Sequence, residues 1–196
     1  VVQEGLGRYR SGKIMVYGGE VKQVERLGGV LSCPVFHRTV DTVEEKGRRL
    51  REWARVGRVI VTTNALGMGI DVADVRMVVH AGAPRRLRDY AQESGRAGRD
   101  GEKSEAVIVL HKGSDTVQGR AKKEKAERKA LVEEAMEEFM GGRRCRRVVM
   151  DRVMDGYDRM GCEEGEVACD VCEDEAADIE WVEEGDVAEG ELVEEM

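Results

Sequence analysis

The sequence predicts an α/β fold: a parallel sheet with helices on both faces, then a small helical subdomain and a disordered acidic tail. Three observations carry this prediction. Short β-branched runs alternate with helical patterns from residue 13 to about 112, as in consecutive βαβ units. Cys145, Cys162, Cys169 and Cys172 then fall within 28 residues. From Glu163 to Met196 there are 16 acidic residues and no Lys or Arg. The expected boundaries are 1–112, 113–172 and 173–196.

The first strand is KIMVY (13–17), and a helix follows from Glu20 to Leu31 with Val21, Val24 and Leu27 on one face. Pro34–Phe36 fits a second short strand, with Cys33 expected as a small buried residue in it. Asp41 and Thr42 can cap a helix running to about Val56, whose Leu50, Trp53 and Ala54 face the core. RVIVTT (58–63), RMVVH (76–80) and EAVIVL (105–110) are β-branched runs of the kind buried in parallel sheets. Between the last two, a helix from about Leu87 carries Tyr90 and Gln92 towards Gly95 and Gly98. One long charged helix is expected from about Asp115 to Met140, ended by Gly141 and Gly142, and another from Arg143 to about Tyr157.

Composition narrows the function classes. The 196 residues suit one full α/β domain plus an appendage, and Val1 in place of Met suggests a fragment. No run of about 18 apolar residues is present, so no membrane partner is expected. Five cysteines point to metal or buried thiols and not to a disulfide scaffold. The net charge of −8 is an average over two unlike parts. Residues 1–162 carry 32 Lys+Arg against 24 Asp+Glu, a net of +8, the sign a phosphate-binding surface requires.

In a parallel α/β sheet, ligands bind at the carboxyl ends of the strands. Two such ends stand out. After Thr63 comes NALGMGID, where Gly67 and Gly69 permit close backbone approach and Asp71 offers a carboxylate. After His80 the chain passes PRRLR and reaches YAQESGRAGRDG (90–101), with Arg96 and Arg99 set among glycines. Guanidinium groups presented this way suit phosphate oxygens. Gly7–Lys13 satisfies GxxxxGK, but Ile14 follows where Ser or Thr is required, and a strand replaces the helix, so it is rejected as a P-loop. No DEAH-like acidic pair follows a buried strand either.

The four cysteines make a candidate structural zinc site, with CDVC as the short knuckle placing two sulfurs on one ion. A thioredoxin-like use of Cys169 and Cys172 is disfavoured, because no βαβ unit surrounds them. Arg143, Arg144, Arg146 and Arg147 are candidate contacts to DNA phosphates, with a nuclear-import signal as the alternative reading. The basic run 120–129 reads more simply as a solvated helix face. His37 is open to two readings, a site residue or a buried structural histidine.

ALGMGID followed by YAQESGRAGRDG resembles motifs V and VI of superfamily 2 helicases, specifically the RecQ-like DNA helicases, over roughly residues 10–172. DEAD-box and Snf2-type proteins spell the second motif differently. The resemblance implies a second RecA-like lobe over 1–112, a zinc-binding region and an ATP-dependent 3′–5′ DNA helicase as the parent. It implies Arg99 as the arginine finger, Arg96 as its supporting phosphate contact and Gln92 as a coupler of the lobes. Gly69, Asp71, Arg96 and Arg99 would face the nucleotide, ATP with Mg²⁺, while Thr63 and Asn64 would meet the DNA backbone. The six-residue gap between Cys162 and Cys169 departs from the family's usual two. The expected partners are DNA and a first RecA-like lobe, the expected location nuclear, and the chain alone is expected to be inactive. The rival readings are a non-catalytic DNA-binding remnant and a zinc-dependent interaction module.

Overall fold

The computed structural model describes residues 1–39, 42–67, 71–110 and 133–174. These fall into two compact units, Val1–Glu133 and Glu134–Met196. In the first, β1 (Lys13–Gly18), β2 (Val35–Phe36), β3 (Val59–Thr62), β4 (Val75–Ala81) and β5 (Glu105–Val109) form one sheet in the order β2-β3-β1-β4-β5. Every neighbouring pair is parallel. β1 and β3 are buried along their whole length, which explains why their sequences are continuous apolar runs instead of alternating ones.

Alternate side chains of each strand serve opposite faces, except at Arg76, where a register irregularity against β1 puts Val75 on the face opposite Met77. Ile14, Val16, Val59, Val61, Met77 and Val79 pack with Val24 of α2 (Val21–Leu31) on one face, joined by Val2 and Leu6 of α1 (Val2–Arg8). Met15, Tyr17, Ile60, Val75 and Val78 pack on the other face with Trp53 of α3 (Val43–Val56), and Leu50 and Ala54 flank that contact. Helix α3 starts where the Thr42 hydroxyl accepts a hydrogen bond from the Glu45 amide at 3.3 Å. Asp41, the other expected cap, lies outside the described residues.

Three details differ from the sequence reading. Helix α1 was not expected, because Gly5 and Gly7 both disfavour a helix. It forms because Gly5 lies flush on β4, where a Cβ would sit 2.4 Å from the Met77 sulfur. Cys33 is half-buried in the turn before β2 and not within the strand, and burial raises its thiol pKa. The expected helix from Arg143 to Tyr157 is the shorter α6 (Arg146–Met154), with Cys145 at its N-cap and Gly156 turning the chain away at φ +66°.

The second unit contains α5 (Glu134–Gly141) and α6, with Met136, Phe139, Cys145 and Val149 buried. Most of the long helix expected from 115 to 140, the basic run 120–129 and the tail from 175 onward lie outside the described residues. No helix among the described residues is long and apolar enough to cross a membrane.

Candidate functional site

Helix α4 (Leu87–Ser94) follows β4, and its Gly95 C-cap opens the arginine loop. Gly98 adopts φ +68°, a backbone conformation that favours glycine, and its amide donates to the Val75 carbonyl at 2.9 Å. A second tie is the Arg76–Asp100 pair, which makes two hydrogen bonds of 2.9 and 2.6 Å. The loop is thus fastened to the first residues of β4.

The two arginines differ in how they are held. Arg96 is buried at 8% exposure, its guanidinium facing the Tyr17 hydroxyl. Burial drives the Tyr17 pKa up, against the opposing pull of the Arg96 charge. Arg99 is exposed, and its contacts are long: Nη1 to Asp71 Oδ1 at 3.4 Å and Nε to the Gly95 carbonyl at 3.4 Å. Asp71 is 91% exposed, so this pair contributes at most about 1 kcal/mol. One guanidinium is buried and the other lies at the surface.

A buried cluster that the sequence did not single out supports this loop. Tyr17 and His80 are register partners across β1 and β4, and their rings stack at 5.3 Å between centroids. His80 Nε2 lies 2.9 Å from Glu93 Oε2 of α4, and its ring packs against Tyr90 at 4.9 Å. The signal was the register itself, which places the end of β1 beside the end of β4. Gln92 is exposed on the same helix. Thr63 is buried just beyond β3, with its hydroxyl accepting from the Ala65 amide at 3.3 Å, and Asn64 is exposed at the start of a 3₁₀ turn (Asn64–Gly67). Gly69 lies outside the described residues. His37 is buried, with Nδ1 3.2 Å from the Thr39 hydroxyl and Nε2 3.6 Å from Glu25.

In the second unit the Sγ atoms of Cys145, Cys162, Cys169 and Cys172 all lie within 4.8 Å of one another. Cys145 stands 3.6 Å from Cys162 and 3.8 Å from Cys169. A tetrahedron with bonds of about 2.3 Å has edges of about 3.8 Å, so the spacing fits one zinc ion. The six-residue gap before Cys169 is accommodated, since the Cys169 amide donates to Cys162 Sγ at 3.3 Å. Burial opposes ionisation of Cys169, but amide donors from Arg146 and Cys172 outweigh it and bring the thiol to about 7. Burial raises Cys145. Metal binding deprotonates such thiols and needs nearby donors to hold the charge.

The four arginines divide here too. Arg147 donates to Cys162 Sγ at 2.8 Å, and Arg146 makes a two-pronged pair with Asp170 at 2.9 and 2.6 Å while lying over the Phe139 ring. Arg143 and Arg144 are exposed in the turn before α6, with no carboxylate paired to them among the described residues.

Comparison with known proteins places this geometry. Residues 1–101 match the model of the helicase conserved C-terminal domain. The ATP-dependent DNA helicase RecQ of Pasteurella multocida is 32% identical over 171 residues, covering 82% of this chain and 26% of that protein. The ATP-dependent DNA helicase hus2/rqh1 of Schizosaccharomyces pombe is 34% identical over 153 residues, covering 74% of this chain and 11% of that protein. Among solved structures, domain 2 of the Mss116p DEAD-box helicase bound to an RNA duplex superposes with a TM-score of 0.50 at 17% identity, covering 77% of this chain and 69% of that one. At that identity the likeness speaks for the fold alone. The chain therefore spans about a quarter or less of the length of these curated relatives, and it belongs to the helicase conserved C-terminal domain family as a RecQ-like lobe of superfamily 2.

Proposed function

We propose that this chain is the second motor lobe of an ATP-dependent 3′–5′ DNA helicase, supplying an arginine finger from Arg99. The observation that supports this most is the unequal holding of the two loop arginines. Arg96, buried against Tyr17, can serve as a fixed phosphate contact. Arg99, held among the described residues by two contacts of 3.4 Å, can leave Asp71 for a γ-phosphate when a cleft closes. Gln92, exposed on α4, would couple the lobes, and Asp71 would face the nucleotide; Gly69, expected there too, lies outside the described residues. Thr63 and Asn64, at the end of β3, would meet the DNA backbone, joined by Arg143 and Arg144. DNA as substrate and the 3′–5′ polarity rest on the RecQ-like resemblance.

A bound Mg²⁺–ATP supplies the phosphoryl group and the metal charge; this lobe's own contribution is the guanidinium that offsets charge developing on the transferred phosphate. Because the P-loop and acidic pair belong to a first lobe, the chain alone should release no phosphate. The four cysteines would hold a structural Zn²⁺, with Arg147 steadying the Cys162 thiolate.

The test is DNA-stimulated ATP hydrolysis by the motor that carries this lobe. Arg99→Ala should lower the rate about 10³–10⁵-fold while nucleotide still binds. Retention of the rate in that variant, or hydrolysis by the isolated chain, would overturn the reading. Duplexes with 3′ or 5′ tails of DNA or RNA then decide polarity and substrate.

A further inference from the structure

A cavity of about 390 Å³ opens in the second unit, and its walls include Arg143, Arg144, Val148, Met160 and Cys172. Three arginines line it and no carboxylate does. Arg159 is already neutralised by Asp151, Glu163 and Glu166 at 3.1–3.3 Å. Arg143 and Arg144 have no such partners among the described residues, and they stand just before the N-terminus of α6, whose first turn holds no acidic residue. Val148 and the fully exposed Met160 add apolar wall. The complementary ligand is a segment with carboxylates on either side of a large apolar group.

The chain carries such a segment around a tryptophan, shortly after this wall in sequence. The cavity wall includes Cys172, and the described structure ends at Asp174. Residues 175–196 hold ten Asp or Glu, no Lys or Arg, and the run DIEWVEE at 178–184. Trp181 is nine residues past Cys172, a reach of up to about 30 Å. Tethering raises its effective concentration at the cavity into the millimolar range. Packing the tail's charges against these two arginines also relieves the arginines' mutual repulsion.

We propose that residues 178–184 dock into this cavity as an internal acidic plug. Trp181 lies against Val148 and Met160, and the flanking carboxylates pair with Arg143 and Arg144. The docking concerns the second unit only and does not depend on the helicase reading.

The full chain supplies its own probe, because its two tryptophans are Trp181 and the buried Trp53. Acrylamide quenching is measured in the full chain, with a Trp181→Phe variant giving the Trp53 signal to subtract. The Trp181 component should be quenched several-fold less steeply than in a free peptide of residues 175–196. High salt or the double change Arg143→Glu, Arg144→Glu should restore peptide-like quenching. Both arginines are exposed, so the variant should keep its circular dichroism spectrum. Peptide-like quenching in the unaltered chain, or protection that survives charge reversal, overturns the plug. Protection lost on dilution assigns the cavity to a second copy. An unchanged affinity for a DNA oligonucleotide when the carboxylates of 178–184 become amides, with Trp181 quenched freely throughout, assigns it to nucleic acid. Either outcome also overturns the plug.

Discussion

Replacing Gly98 by Ala should destabilise the first unit and disturb the arginine loop together. The φ of +68° costs an L side chain about 1–2 kcal/mol. The new Cβ would also lie 2.4 Å from the Ser104 hydroxyl and 3.1 Å from the Glu102 carbonyl. Ser104 can rotate away; the Glu102 carbonyl is main chain and must be displaced, adding roughly 1 kcal/mol. The expected loss is therefore about 2–3 kcal/mol. Gly101→Ala is the matched control, because Gly101 has φ +82° and nothing within 4 Å of its added Cβ. That variant should lose only the conformational part, about 1–2 kcal/mol. Urea unfolding followed by Trp53 fluorescence in a Trp181→Phe background measures both. Equal losses in the two variants would refute the steric argument, and a loss at Gly98 within about 0.5 kcal/mol would refute the conformational one as well.

Asp74→Ala should cost about 1–2 kcal/mol, because the buried Lys13 ammonium would lose its 2.9 Å partner while the other end of the pair is half-exposed; a neutral effect in the same melt would contradict this. Asp100 has its carboxyl pKa lowered by hydrogen bonds from Arg76, so its contribution is present above the ordinary Asp range near pH 4 and fades as pH falls through the depressed value. Asp100→Asn should flatten stability against pH in that acid window alone, and a change confined to neutral pH would count against the pairing. A strong chelator should melt α5 and α6 by hydrogen exchange while the sheet stays protected. Structural zinc contributes about 10–16 kcal/mol, whereas Met136, Phe139 and Val149 each bury only about 1.5–3 kcal/mol of apolar side chain. Full protection of both helices after metal analysis shows none bound would refute a structural metal.

The three central strands were legible because each is a β-branched or apolar run of the length its burial requires, from Ile14–Val16 to Val78–Val79. By contrast β5, read from its sequence as a buried run, is an edge strand with Ala106 and Val109 exposed. Helix α1 was not legible, since the contact that rescues Gly5 comes from Met77, more than 70 residues away. The arginines and cysteines could be named from residue type and spacing. Their division of labour could not. That Arg146 and Arg147 are engaged with Asp170 and Cys162 while Arg143 and Arg144 are not depends on where α6 begins, three residues later than the pattern implied. Likewise Tyr17 and His80 meet only through the register of β1 on β4, which no local pattern encodes.

The double fastening of the segment from Glu93 to Asp100 onto β4 acts as a ruler. At one end Glu93 meets His80; at the other, Gly98 and Asp100 are tied to Val75 and Arg76. One residue inserted between Glu93 and Gly98 would lengthen the chain between two fixed ties, so both could not be satisfied at once. The segment between Glu93 and Asp100 can therefore change its side chains far more readily than its length. An engineer grafting this arginine loop onto another sheet would have to carry the strand with it.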